Sequence, residues 1–285
     1  TVSVVGGCCT SDAVMAGAPA LAALGALRAG AGLARLIVPR GIVEVALSVC
    51  PSATCVALPT TERGMIIPSD ACAVLDGAIE SSSCLVIGPG MGSDPAVAGL
   101  TLRSLQQTDK PVVVDADALN ALATISDLHL DMRAMAILTP HPGEFRRLAA
   151  SLRITADPVA ESSRASAAEQ LAQRLGAIVV LKGAGTIVTN GIETWRCPSG
   201  NSALATAGSG DVLAGVIAGL VAQHARVASA GRDEEGAGLL LLDAVRIAVL
   251  AHGLAAERWA ASHRAQAGML ATELAAEVPG VLAGL

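Results

Sequence analysis

Short runs of β-branched and other apolar residues recur along the 285-residue chain, separated by Ala- and Leu-rich stretches with helical character. The runs are VSVV from Val2, ARLIV from Ala34, CLVIG from Cys84, PVVVDA from Pro111, MAILT from Met135 and AIVVLKG from Ala177. A helix is predicted over residues 13–30, after the first run. Near-continuous apolar strands alternating with helices predict an α/β fold whose mostly parallel sheet is covered on both faces, a doubly wound arrangement. Within 177–196 three strands follow closely, IVVL, TIVT and ETWRC, with Asn190-Gly191 between the last two. That pair between strands predicts a hairpin, so the sheet gains an antiparallel edge. Helices near 211–223, 236–260 and 269–277 finish the chain, and the polar stretch 225–238 is predicted to be a surface loop. No tract resembles a linker, which predicts one domain over 1–285.

Only 15% of residues are charged and 52% are apolar. A soluble domain usually carries ~25% charge, so much of this chain should be buried in the fold or in subunit contacts, and a homo-oligomer is predicted. The quiet stretch Ala13–Leu27 is too short to span a bilayer, and the TVSVV opening lacks the pattern of a signal peptide, so no membrane segment and a cytoplasmic location are expected. A net charge of −6 without a basic block excludes the electrostatic footprint of a nucleic-acid binder. One Phe, two Trp and no Tyr leave few platforms for stacking bases. The seven cysteines lack a C-x-x-C spacing and mostly sit in apolar runs, reading as reduced, buried hydrophobes.

Ligands of open α/β sheets bind beyond the carboxyl ends of the strands, and here those exits carry unusual residues. They are Gly6-Gly7; Gly88, Gly90 and Gly92; Asp115, Asp117 and Asn120; His141, Gly143 and Glu144; and Lys182 through Thr186. The 88–92 glycines do not make a dinucleotide fingerprint, because Pro89 removes a donor and no acidic residue follows at the required spacing. A tight turn and close approach to a ligand both account for them. His141 lacks a second helix-borne histidine for zinc, which leaves a substrate contact or a cap on the helix begun by Pro142. Asp115 and Asp117 fit either water-mediated magnesium binding or, for Asp117, an N-cap. Lys182-Gly183-Ala184-Gly185-Thr186 lies between two strands, so it is no P-loop, yet it suits a nucleotide as well as a plain hairpin.

Gly208-Ser209-Gly210-Asp211 precedes the unbroken apolar run Val212–Ala222. Backbone amides at a helix start, together with the positive end of its dipole, make an anion site for which phosphate is the natural guest. Capping alone would explain Asp211 but not the flanking glycines. A carboxylate beside a phosphate chain can take the proton of an attacking alcohol, so Asp211 fits a general base in phosphoryl transfer.

The segments GAPALAALGALRAGAGL (17–33), VIGPGMG (86–92), VVVDADALN (112–120), LTPHPGE (138–144), LKGAGT (181–186), GNSALATAGSGDVLAGVIAGL (200–220) and AHGLAAE (251–257) closely resemble the NAD(P)H-hydrate dehydratases, in family order over essentially the whole chain. The resemblance implies a ribokinase-like three-layer sandwich that dehydrates the S epimer of hydrated NADH or NADPH (NADHX or NADPHX), with ADP or ATP as co-substrate and Mg2+ held mostly by phosphate and water. It puts the hydrate contacts on Ala18, Gly90, His141 and Asp211, the adenine-nucleotide contacts on Lys182, Gly183, Ala184, Gly185, Thr186 and Gly210, and charge-stabilising amides on Gly208, Ser209 and Gly210. A tetramer and a separate epimerase chain are expected with it. The chain departs from the family pattern at Ser202, where Pro is usual, and at the Cys8-Cys9 pair in the first loop. Competing readings are a ribokinase-like small-molecule kinase, disfavoured because such kinases usually carry Cys where Asp211 stands, and a non-catalytic adenine-nucleotide sensor.

Overall fold

The computed structural model describes residues 1–107, 109–125, 127–128, 132–225 and 239–285. The predicted loop 225–238 lies outside the described residues from 226 on, as does the start of the helix expected at 236.

Nine strands form one sheet: β1 (Val2–Val5), β4 (Ala34–Pro39), β5 (Thr54–Leu58), β6 (Cys84–Ile87), β7 (Val112–Val114), β8 (Ala136–Leu138), β9 (Ile178–Leu181), β10 (Ile187–Thr189) and β11 (Thr194–Arg196). Their order is β11-β10-β9-β8-β7-β6-β1-β4-β5. Every pair from β5 to β9 is parallel, and β10 and β11 are antiparallel, as the hairpin signal predicted. The turn spans four residues, not the two of a tight Asn-Gly hairpin, since Thr189 pairs with Thr194. The Asn190 carboxamide accepts from the amides of Ile192 and Glu193 and closes it.

Alternation along each strand divides the interior in two. Val2, Val4, Leu36, Val38, Val86 and Val180 pack beneath α1 (Gly17–Arg28), α8 (Ser209–His224), α9 (Leu241–His263) and α10 (Ala271–Leu282). Val5, Ile37, Leu85, Ile87, Val112 and Val114 face α3 (Pro68–Ser81), α4 (Ala96–Gln106), α5 (Asp117–Leu122), α6 (Pro142–Leu152) and α7 (Arg164–Leu175). Here lie the three layers expected of a doubly wound sheet. Among the described residues no helix is long and apolar enough to cross a membrane.

The first helix and the region around β5 differ from expectation. The first helix starts at Gly17, not 13, because Val14–Met15 (β3) pairs antiparallel with Cys8–Cys9 (β2) in a small separate hairpin. The strand β5 and the helix α2 (Val43–Val49) before it were not anticipated, although TCVAL carries a β-branched alternation.

The apolar run of α8 is buried on every side from Val212 to Val221, as befits a helix enclosed by protein all round. Its approach to α1 is close enough that a methyl group on Gly215 would overlap the Ala22 carbonyl oxygen and lie 2.8 Å from the Ala22 carbonyl carbon and 2.9 Å from the Ala26 amide. This contact seats the start of α8 at the carboxyl edge of the sheet. Gly215→Ala should therefore cost about 1–3 kcal/mol despite the better helix propensity of Ala, read as a lower midpoint in urea; an unchanged or raised midpoint would refute the close-contact argument.

Candidate active site

Because β1 and β6 through β9 are parallel, all five glycine- and acid-bearing exits lie at one edge of the sheet. Lys182, one residue beyond β9, is the charge centre of that edge. Its Nζ donates to Asp115 Oδ1 at 2.7 Å and lies 3.8 Å from Glu144 Oε2. Burial works against the ammonium, but Asp115, Glu144 and Asp211 outweigh it and hold its pKa above the ordinary lysine value. Asp115 is 1% exposed and also accepts from the Thr139 hydroxyl at 2.7 Å.

Asp117 is not an N-cap. It is the first residue of α5, and its carboxylate accepts the Gly92 amide at 2.8 Å, tying the 88–92 loop to the acid cluster. Between the two acids Ala116 adopts φ 51° and ψ −120°, a conformation that costs a non-glycine residue on the order of 1–3 kcal/mol. This strain turns adjacent carboxylates to separate tasks. The helix-capping reading holds for His141, whose Nδ1 accepts from the Gly143 amide at 2.9 Å. With Nδ1 so used, the neutral ring carries its proton on Nε2, which lies 3.3 Å from Glu144 Oε1. The His141 pKa is lowered by burial and by the charges of Lys182 and Arg147. Glu144 closes the capping box through the His141 amide at 2.7 Å, and burial first, then Asp115, pushes its pKa up to about 7 against the pull of Lys182.

On the other side of Lys182, α8 begins at Ser209 with Gly208 as N-cap in the left-handed region at φ 86°. Asp211 is the third helical residue and makes no capping bond, so capping does not explain it. Burial and then the Asp115 charge raise its pKa to about 7; Lys182 opposes this and Asp117 adds to it. The amides of Gly210 and Asp211 find no acceptor among the described residues, whereas that of Ser209 turns back to the Thr206 carbonyl at 3.4 Å. Gly210 itself adjoins the ammonium, since a methyl group there would be 3.4 Å from Lys182 Nζ.

A cavity of 510 Å³ opens beside this turn, bordered by Lys182 through Thr186, by Gly200 through Ser202, by Ser209 and Gly210, and by His252 and Gly253 of α9. Its loop 182–186 is backed by the buried Arg164, whose Nη2 donates to the Leu181 carbonyl at 3.0 Å, and covered by Arg196, paired with Glu161. A side chain at Gly185 would meet Arg196, not the cavity. Arg164 was not singled out from sequence, and AHGLAAE was read only as a family segment, with no role given to any of its residues. The AHGLAAE segment supports the cavity wall: His252 contacts the Ser209 carbonyl, the Ala256 carbonyl accepts from the Asn201 carboxamide at 3.2 Å, and Glu257 accepts from the Gly200 amide at 2.8 Å. A histidine and a glycine inside a long apolar helix were the available signal. Ser202, the departure from family pattern, opens a short 3-10 turn and its hydroxyl donates to the Gln266 carbonyl at 3.0 Å.

Across the centre, Ala18 and Gly90 are brought together: a methyl on Gly90 would lie 3.2 Å from the Ala18 Cβ. The even choice over Gly88 resolves toward the turn, since the space of its missing side chain is filled by the Asp115 carbonyl and Ala118. The Cys8-Cys9 hairpin forms part of a second cavity of 410 Å³, also bordered by Gly7, Arg63, Gly92 and Asp94. Among the described residues no group of three or more His, Cys, Asp or Glu side chains is arranged to hold a metal ion.

The architecture has the ribokinase-like fold, a mostly parallel sheet flanked by helices. A ribokinase-like superfamily protein from Enterococcus faecalis is 22% identical, with TM-score 0.75 over 99% of this chain and 86% of its own. The ADP/ATP-dependent NAD(P)H-hydrate dehydratase from Bacillus subtilis, co-crystallized with ATP/Mg2+, is 28% identical, with TM-score 0.75 over 99% and 89% of the two chains. A family model described as NAD(P)H-hydrate dehydratase matches residues 2–280, and the chain belongs to that family. It is 38% identical to bifunctional NAD(P)H-hydrate repair enzymes from Moorella thermoacetica, over 95% of this chain and 48% of that protein, and from Salinibacter ruber, over 94% and 46%. The chain thus spans about half the length of the curated relatives it matches.

The raised pKa of Asp211 makes a stability prediction. Between the ordinary value of 3.8 and about 7 the folded protein keeps a proton that the unfolded chain releases, so this group lowers stability as pH rises through that window. Asp211→Asn, which cannot ionise, should match wild type near pH 3.5 and exceed it by on the order of 2 kcal/mol at pH 8, by chemical denaturation. The same difference at both pH values would show that burial does not penalise this carboxylate.

Proposed function

We propose that the chain dehydrates the S epimer of NADHX or NADPHX to the reduced dinucleotide, with ADP or ATP as phosphoryl donor and residues 1–285 acting as one catalytic unit. The observation that carries this reading is a half-buried, uncapped Asp211 that feels the Lys182 charge, next to the unpaired amide of Gly210, a residue that borders the 510 Å³ cavity. Lys182 through Thr186 and Gly210 hold the adenine nucleotide in that cavity; Ala18, Gly90, His141 and Asp211 contact the hydrate.

In this mechanism the ring hydroxyl attacks the terminal phosphorus, the bond to the AMP or ADP leaving group breaks, and Asp211 accepts the hydroxyl proton. The amide of Gly210, with that of Gly208, stabilises charge on the transferring group, the part expected of the Ser209 amide falling away because that amide is turned to the Thr206 carbonyl, and the Lys182 ammonium adds a fixed positive charge. The ring nitrogen lone pair then expels phosphate, and loss of a proton from the neighbouring ring carbon restores the double bond. The unpaired amides and the ammonium suit a phosphate chain, whose own oxygens with water would hold Mg2+. The metal's chemistry is neutralisation of phosphate charge.

An epimerase that interconverts the two hydrates is the functional partner this reaction calls for. Seven unpaired cysteines support a reducing, cytoplasmic setting. Val45 and Val56, exposed on α2 and the edge strand β5, support a homo-oligomer, with a tetramer expected.

The test supplies hydrated NADH or NADPH, Mg2+ and either ADP or ATP, and follows recovery of reduced nicotinamide absorbance and the spent nucleotide. Wild type should restore the absorbance with release of phosphate. A stable phosphorylated product would indicate a kinase, and nucleotide binding without turnover a sensor. Asp211→Asn should retain nucleotide affinity and lose ~10²- to 10⁴-fold in kcat. A stable, fully active variant would remove Asp211 from the chemistry.

A further inference from the structure

His252 lies in the middle of α9, is 7% exposed, and places Nε2 2.9 Å from the Ser209 carbonyl oxygen. A carbonyl only accepts, so Nε2 carries the proton and donates. Ser209 is the first residue of α8, and its hydroxyl is bound to the Leu204 carbonyl at 2.8 Å and the Thr206 carbonyl at 3.0 Å. The residue is held from two sides.

The held carbonyl belongs to the same peptide unit as the Gly210 amide. A trans peptide is planar, with its C=O and N–H pointing in opposite directions, so fixing the Ser209 oxygen on α9 aims the Gly210 N–H away from α9. Drawing electron density toward the carbonyl also strengthens that N–H as a donor. The Gly210 amide has no acceptor among the described residues, adjoins Lys182 Nζ, and borders the 510 Å³ cavity. We propose that His252 is a positioning residue that orients and polarises the Ser209–Gly210 peptide, so that the Gly210 amide meets the transferring phosphoryl group. The proposal rests on the dehydratase reading above.

The surroundings support this role. Gly253 lets α9 press against the 199–200 backbone, since a methyl there would lie 2.9 Å from the Ser199 carbonyl, and this approach brings the imidazole beside Ser209. A glycine inside a helix costs about 1 kcal/mol against alanine, which the close contact makes intelligible. Burial first, and Lys182 to a smaller degree, push the His252 pKa down to about 4, so the ring stays neutral across the working range. Of the charged groups near it, Lys182 is the one that lowers its pKa and the Ser209 carbonyl is the bond that raises it.

The experiment uses the full chain with ADP and Mg2+ as probe. The ¹⁵N–¹H resonance of the Gly210 amide is followed on titration, and kcat and KM are measured for hydrate turnover. In wild type the Gly210 amide should shift on adding ADP and Mg2+. In His252→Phe, which keeps a ring but loses the donor, that shift should fall by at least half and kcat by roughly ten- to a hundredfold, a fraction of the loss seen when an oxyanion donor is deleted outright. The hydrate KM should stay within about twofold, and the deficit should not vary between pH 5 and 9, because no proton on the ring titrates there. His252→Gln, which restores an N–H donor, should recover most of kcat. If Phe is not accommodated, His252→Met removes the donor with an adaptable side chain and should show the same losses. An unchanged Gly210 shift and kcat in a folded donorless variant overturns the proposal, as does a wild-type amide that ignores ADP during turnover. Failure of the dehydratase reading looks different: ADP shifts the wild-type amide but no hydrate is consumed.

Discussion

A single half-buried ammonium holds the candidate site together. Lys182 stands at the end of a central strand where Asp115, Glu144 and Asp211 converge, each delivered by a different element of the carboxyl edge. One positive charge cannot neutralise three carboxylates in a poorly hydrated place. Burial first, and the uncompensated negative charge after it, favour retaining protons, and Glu144 and Asp211 are both pushed up to about 7. A carboxyl group poised there can exchange a proton with substrate near neutral pH, whereas an ordinary surface aspartate is too weak a base to do so efficiently. The electrostatic frustration of the cluster and its suitability for proton transfer have one cause.

The remaining architecture brings an anion site to that centre. Close packing of α1 on α8 sets where α8 begins, and α9 fixes the loop leading into it through bonds from His252, Ala256 and Glu257. The strained Ala116 lets Asp115 serve Lys182 while Asp117 secures Gly92, so the hydrate-side loop and the charge centre share a support. Helix starts, strand exits and interhelical contacts thus act on a few atoms. Small residues serve backbone proximity, as at Gly88 and Gly215.

Short apolar runs were enough to read eight of the nine strands and the helical layers, because burial on both faces leaves a strand no polar positions, and the Asn190-Gly191 pair added the antiparallel edge. They were insufficient for the β2–β3 hairpin, whose strands are two residues each, too short to carry a period. The same limit explains the start of α1 and the length of the Asn190-Gly191 turn.

Chemical type along the chain determined which residues could act: carboxylates, a lysine and glycines at strand exits, and Asp211 before an apolar helix. Which of them act on each other was decided only by tertiary structure. Lys182 and Asp115 are separated by 67 residues, and His252 and Ser209 by 43. Propensity and local pattern report a residue's neighbours within a turn or two. The charge balance at Lys182 and the support under Gly210 depend on distances that exist only once the sheet has brought its carboxyl ends together and α9 has packed against α8.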